Sequence, residues 1–135
     1  MAFDIEVTDL ADKAETGYEF EVKLPDGSDA DDFKITVRGK LSPKIKKYNK
    51  DLFNKMQMKD LQNKRKGKGE QPVDLDEAEA TLIESACVRV ITWTGLEAGG
   101  VPIEPTPENI KMIMTKLDWV RSQVLEESDN SANFI

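Results

Sequence analysis

The hydrophobic period of this chain changes once, at Ser42-Pro43, and that change limits the fold more than any other feature. Before it, apolar residues alternate with polar ones. Phe3, Ile5 and Val7 interleave with Asp4, Glu6 and Thr8; Tyr18, Phe20, Val22 and Leu24 with Glu19, Glu21 and Lys23; Phe33, Ile35 and Val37 with Lys34, Thr36 and Arg38. Alternation of period two is the mark of strands with one buried and one wet face. Pro25-Asp26-Gly27 is a strong turn signal, so the loop 25–32 is expected to join an antiparallel hairpin. After Ser42-Pro43 the spacing becomes three and four residues, which requires helices. The expected fold class is therefore α+β: a small antiparallel N-terminal sheet of about three strands, then a predominantly helical part of about four helices.

The chain has 135 residues, enough for one domain with one ordinary core. Within it we expect a β meander over 1–40, a basic helix over 41–64, a flexible linker over 65–73, a helical part over 74–128 and a loose tail over 129–135. Ser42 is the expected N-cap of the basic helix, whose apolar stripe is Leu41, Ile45, Tyr48, Leu52 and Met56. The linker 65–73 has two glycines and a proline but only Val73 as an apolar residue.

Asp74 with Glu77 resembles a capping box for a core helix that places Leu75, Ala78, Leu82, Ala86, Val90 and Trp93 on one face and ends at Gly95. Thr106-Pro107 opens a further helix carrying Ile110, Ile113, Met114 and Leu117. Asp118 is the expected cap of the last one.

Charge is unevenly placed. Between Lys44 and Lys68 stand ten Lys or Arg residues and two acids, a balance of +8 that leaves −15 on the remainder. A chain so divided can offer a basic segment to an acidic partner, another copy of itself included. Lys44, Lys46, Lys47, Lys50, Lys55 and Lys59 are the candidate partner-binding cations. The other reading of these lysines is a solvated helix face. Phe134, almost terminal, is a further candidate anchor, with docking onto its own domain as the alternative.

Enzyme chemistry finds little support. The absence of histidine removes the commonest general base and the usual partner of a serine or cysteine nucleophile. Cys87, the single cysteine, sits between Ala86 and Val88 and reads as inert core, without a partner for an internal disulfide. No zinc cluster is present. Asp26, Asp29, Asp31 and Asp32 run directly into a strand without the spacing of a calcium loop, and Gly67-Lys68-Gly69 lacks the context of a phosphate loop. No enzyme activity, cofactor or metal is expected. No apolar run approaches the roughly 20 residues of a membrane span, and the first residues lack the features of a signal peptide, so a cytosolic protein is expected. Nucleic-acid binding through the basic helix is a rival reading, opposed by the surrounding negative charge and by the place of Tyr48 on the apolar stripe. Trp93 and Trp119 are expected as helical core anchors.

The last third has a distinctive order: Trp93-Thr94-Gly95-Leu96, Val101-Pro102, Thr106-Pro107-Glu108-Asn109, Trp119-Val120-Arg121-Ser122-Gln123, then Asn133-Phe134. It resembles the tail assembly chaperones of long-tailed bacteriophages over residues 86–135, with a weaker echo in Phe33–Ser42. The resemblance implies a protein that binds the tape-measure protein, keeps it soluble and helps recruit tail tube subunits. It implies work in the host cytoplasm, absence from the mature virion and, in some family members, a longer frameshifted form; reversible self-association, through the basic helix and an acidic patch elsewhere, is expected from the charge split itself. A virion structural protein such as a tube or joining subunit remains a different reading of the same residues.

Overall fold

A computed structural model describes residues 2, 10–65, 67 and 75–135. The expected strand at Phe3–Val7, the capping residue Asp74 and most of the 65–73 linker lie outside the described residues.

The fold is α+β, a three-stranded antiparallel sheet at the N-terminal side with helices after it. A short helix α1 (Ala11–Thr16) leads into β1 (Tyr18–Lys23) and β2 (Asp29–Val37), which pair in the register Tyr18 with Val37 and Phe20 with Ile35. The connection is tighter than the sequence implies. Leu24 N–H donates to Ser28 O, and the Asp26 carboxylate accepts from Ser28 N–H at 2.9 Å and from its hydroxyl. Five residues therefore make the turn, and Asp29 to Asp32 belong to β2. The hydroxyl bond, then the backbone one, holds the Asp26 carboxyl below its ordinary pKa.

The third strand is not where alternation points. β3 (Val90–Thr94) follows directly on α3 (Leu75–Arg89) and pairs with the far side of β2, Ile35 opposite Trp93 and Val37 opposite Val90. The core helix thus ends at Arg89, and Val90 and Trp93 are strand residues. Their spacing from Ala86 suits a helix face, but Val90-Ile91-Thr92-Trp93-Thr94 is entirely β-branched or aromatic, and β2 offers an unpaired edge. Gly95 correspondingly closes a strand, at φ +75°, where any Cβ would overlap the carbonyl of Asp32.

β4 (Glu97–Ala98) and β5 (Val101–Pro102) form a small hairpin. Helix α4 (Pro107–Lys116) begins as expected, the Thr106 hydroxyl accepting from Asn109 N–H at 3.2 Å. Helix α5 (Asp118–Asp129) starts after Leu117 without a side-chain cap, so Asp118 is its first residue and not its cap. The tail is ordered as a 3-10 turn, Ser131–Phe134.

Phe20, Val22, Phe33, Ile35, Val37, Val90 and Trp93 on one sheet face pack with Ile83 and Ala86 of α3, Ile110, Ile113 and Met114 of α4, and Val120 and Val124 of α5 in a single core. Trp119 packs against it, half-buried. Glu19, Glu21 and Thr92 on the other face are exposed, so the sheet has the expected wet side.

Helix α2 (Pro43–Arg65) leaves this body from a polar joint. Ser42 is fully buried; its hydroxyl accepts from Lys44 N–H at 3.2 Å and donates to Glu15, which also receives Arg38 Nε at 3.2 Å. The Ser42 hydroxyl holds the Glu15 carboxyl below its ordinary pKa, burial opposing and Arg38 assisting. A folded pKa below the unfolded one gives stability above about pH 4.3 that is lost as pH falls through the lowered value. Glu15→Gln should therefore cost up to about 1 kcal/mol at neutral pH, because Glu15 is partly solvent-screened. The gap from wild type should close in acid. Urea denaturation at neutral pH and near pH 3 measures both halves of this expectation.

Candidate partner-binding surface

α2 spans about 35 Å at 1.5 Å per residue, more than the core can cover. Only Ile45 is buried along it; Leu41, Tyr48 and Leu52 are half-buried, and Met56 is 61% exposed. The stripe expected to reach Met56 thus fails in its last two turns. Those turns run antiparallel to the start of α3, where Lys59 Nζ meets the Glu77 carboxylate at 2.8 and 2.9 Å. There Leu75 and Leu82, expected in the core, are 79% and 48% exposed. Ala86, one turn beyond Leu82, is fully buried. Both helices therefore carry their apolar stripes past the edge of the core.

The result is an exposed surface of mixed chemistry. Phe53, Met56, Met58 and Leu61 are each 51–61% exposed within nine residues. Around them Lys44, Lys46, Lys47, Lys50, Lys55 and Lys59 are all exposed, and α2 contributes only Asp51 and Asp60 as acids. Lys59 is paired with Glu77, and Lys64 lies 3.4 Å from Asp60. The other five candidate lysines have no ion-pair partner among the described residues. Lys46, Lys50 and Phe53, at i, i+4 and i+7, share one face of the helix. Methionines and a phenylalanine beside unpaired cations suit an acidic, apolar-faced partner, the flexible thioethers adapting to its shape.

Phe134 does not join this surface. Its ring is 4% exposed and lies edge-on to Tyr18, centroids 6.1 Å apart, over Gly39, where a side chain would touch the ring at 2.9 Å. Asn133 holds the turn, its Nδ2 donating to Glu127 O at 3.0 Å and Glu127 Oε2 at 2.8 Å. The candidate anchor is therefore a core residue.

The residues of the distinctive C-terminal order meet at joints of the fold. Trp93 Nε1 donates to Ile103 O at 2.7 Å and ties the Pro-rich loop to the sheet. Arg121 Nη1 donates to Met114 O at 3.2 Å near the end of α4. Gln123 donates to Lys23 O and accepts from Lys23 N–H, both at 2.8 Å, its amide taking the place of a neighbouring strand at the edge of β1. Arg89, which the sequence reading missed, bonds Ser85 O at 2.9 Å and Asp129 Oδ1 at 3.2 Å, linking α3 to α5. An arginine standing alone between Ala86-Cys87-Val88 and Val90-Ile91 was its only signal.

An open groove of about 530 Å³ runs between α3, β3 and the start of α4; Ile83, Cys87, Val90 and Ile110 line it, with Lys44 and Lys111 also on its wall. Burial pushes the Cys87 thiol up, which disfavours the reactive thiolate. Burial, with Glu84 nearby, does the same to the Tyr48 phenol, whose oxygen has no hydrogen-bond partner among the described residues. Among those residues no group of three or more Cys, Asp or Glu side chains is placed to hold a metal, and no helix is long and apolar enough to cross a membrane. Comparison with protein-family models, with curated protein sequences and with solved structures finds no match.

Proposed function

We propose that the protein is an assembly chaperone of the phage-tail type, which holds a tape-measure protein soluble, helps recruit tail tube subunits to it, and associates reversibly with itself. The supporting observation is the exposed run Phe53, Met56, Met58 and Leu61 on a helix where Lys44, Lys46, Lys47, Lys50 and Lys55 have no ion-pair partner among the described residues. A long helical client with apolar stripes and acidic flanks can lie on such a face through many weak contacts. Many weak contacts can be surrendered one by one to incoming tube subunits, whereas a single tight interface cannot. The C-terminal order of residues that resembles the chaperone family supports the same reading. On this reading the protein works in the host cytoplasm and leaves before the virion is complete.

Co-expression with the tape-measure protein of the same genome tests the proposal. The client should become soluble and co-purify with several copies of this chain. Phe53→Ser with Met58→Ser should reduce retention of the client several-fold while changing stability by less than about 0.5 kcal/mol, because both side chains are exposed. An insoluble, unbound client beside a well-folded partner would refute the proposal. The eight cations of α2 favour one second reading, nucleic-acid binding. It requires a DNA mobility shift whose affinity drops steeply with salt.

A further inference from the structure

The positive face of α2 and the negative face of the sheet belong to one chain, yet no ion pair joins them among the described residues. Glu19, Glu21 and Asp32 stand exposed around the wet face of the β1–β2 hairpin, with Asp26, Asp29 and Asp31 toward its turn. The hairpin's own counter-charges are Lys23, paired with Asp29 and 4.0 Å from Glu21, and Lys34, opposite Glu21 in the register. Leu24, where the chain enters the turn, is 39% exposed. On α2, Lys46 and Lys50 share a helix face with Phe53, itself 59% exposed. Each surface therefore has an exposed apolar side chain and a net charge, six acids against Lys23 and Lys34 on the hairpin and lysines on the α2 face, and the two signs are opposite.

We propose that the occupant of the Lys46–Lys50–Phe53 face is the β1–β2 hairpin of a second copy, an inference that rests on the self-association included in the proposed function. The contact joins two different surfaces, so each copy keeps one free face of each kind. Such an assembly grows head to tail until it closes into a ring or is capped. Attraction between exposed charges is screened beyond about 10 Å at 0.1 M salt, so the assembly is reversible by salt. A client helix on α2 would compete with the neighbouring hairpin and shorten the assembly.

Charge exchange tests this directly. One variant carries Lys46→Glu and Lys50→Glu; the other carries Glu19→Lys, Glu21→Lys and Asp32→Lys. All five positions are exposed, and circular dichroism with thermal melting checks that both variants are folded. Light scattering at low salt should show wild type associating and each variant alone weakened by roughly tenfold or more. An equimolar mixture should recover association, because the acidic α2 of one variant then meets the basic hairpin of the other, and the unaltered hairpin of the first meets the unaltered α2 of the second. A mixture that stays dissociated, or variants that associate like wild type, would overturn the assigned contact while leaving self-association standing. Wild type that is monomeric at every salt concentration would remove both. If that monomer instead shifts on an acidic amphipathic helical peptide or on duplex DNA, the lysine face belongs to that partner and the proposal fails.

Discussion

Phe134→Ala should destabilise the protein by about 3 kcal/mol, the range for removing a buried aromatic side chain. The ring is 4% exposed, and it fills the space between Gly39, Ala14 and Tyr18. Alanine there removes both transfer free energy and packing, and the turn Ser131–Phe134 loses the contact that orders it. Ile135→Ala, one residue on and 80% exposed, should change stability by less than about 0.5 kcal/mol. Urea denaturation of the two variants makes the comparison. Near-equal midpoints would mean that the tail is loose and that Phe134 is free to reach a partner.

The second large effect is expected at Gly95. Ala there meets two penalties: a left-handed backbone at φ +75°, and a methyl group that overlaps the carbonyl of Asp32 with Phe33 N at 3.0 Å. Backbone atoms of a paired strand cannot swing aside as a flexible side chain can. Strain and overpacking together should cost about 3 kcal/mol. Gly95→Asn discriminates further. At a helix C-terminus asparagine tolerates the left-handed region well, whereas beside Asp32 its Cβ meets the same obstruction and should be about as damaging as alanine. A thermal melt in which Asn recovers most of the glycine stability would return residues 90–94 to a helix.

These two positions show how far local pattern reaches. The β1–β2 pairing, the start of α2 at Ser42-Pro43 and the Thr106 cap follow from alternation, proline placement and capping chemistry, all of which act within a few residues. Val90 and Trp93 do not. Their spacing from Ala86 fits a helix face, and only the unpaired edge of β2, more than fifty residues earlier in the chain, draws them into a strand. The polar joint is non-local in the same way: Glu15, Arg38 and Ser42 come from three separate segments.

The candidate surface divides along the same line. Composition and spacing identify the lysines and their concentration between residues 44 and 68, because charge is a property of each residue wherever it lies. They cannot show where a stripe stops being buried. Ile45 and Met56 occupy one apolar stripe of α2, yet one is fully buried and the other 61% exposed, because the core ends between them. Phe134 moves the opposite way, from the chain's end into the core, because Tyr18 packs edge-on against its ring and Gly39, without a side chain, leaves room for it. Secondary structure and charge are thus written mostly in short-range sequence. Exposure depends on the extent of the core, and that is settled only when distant segments pack.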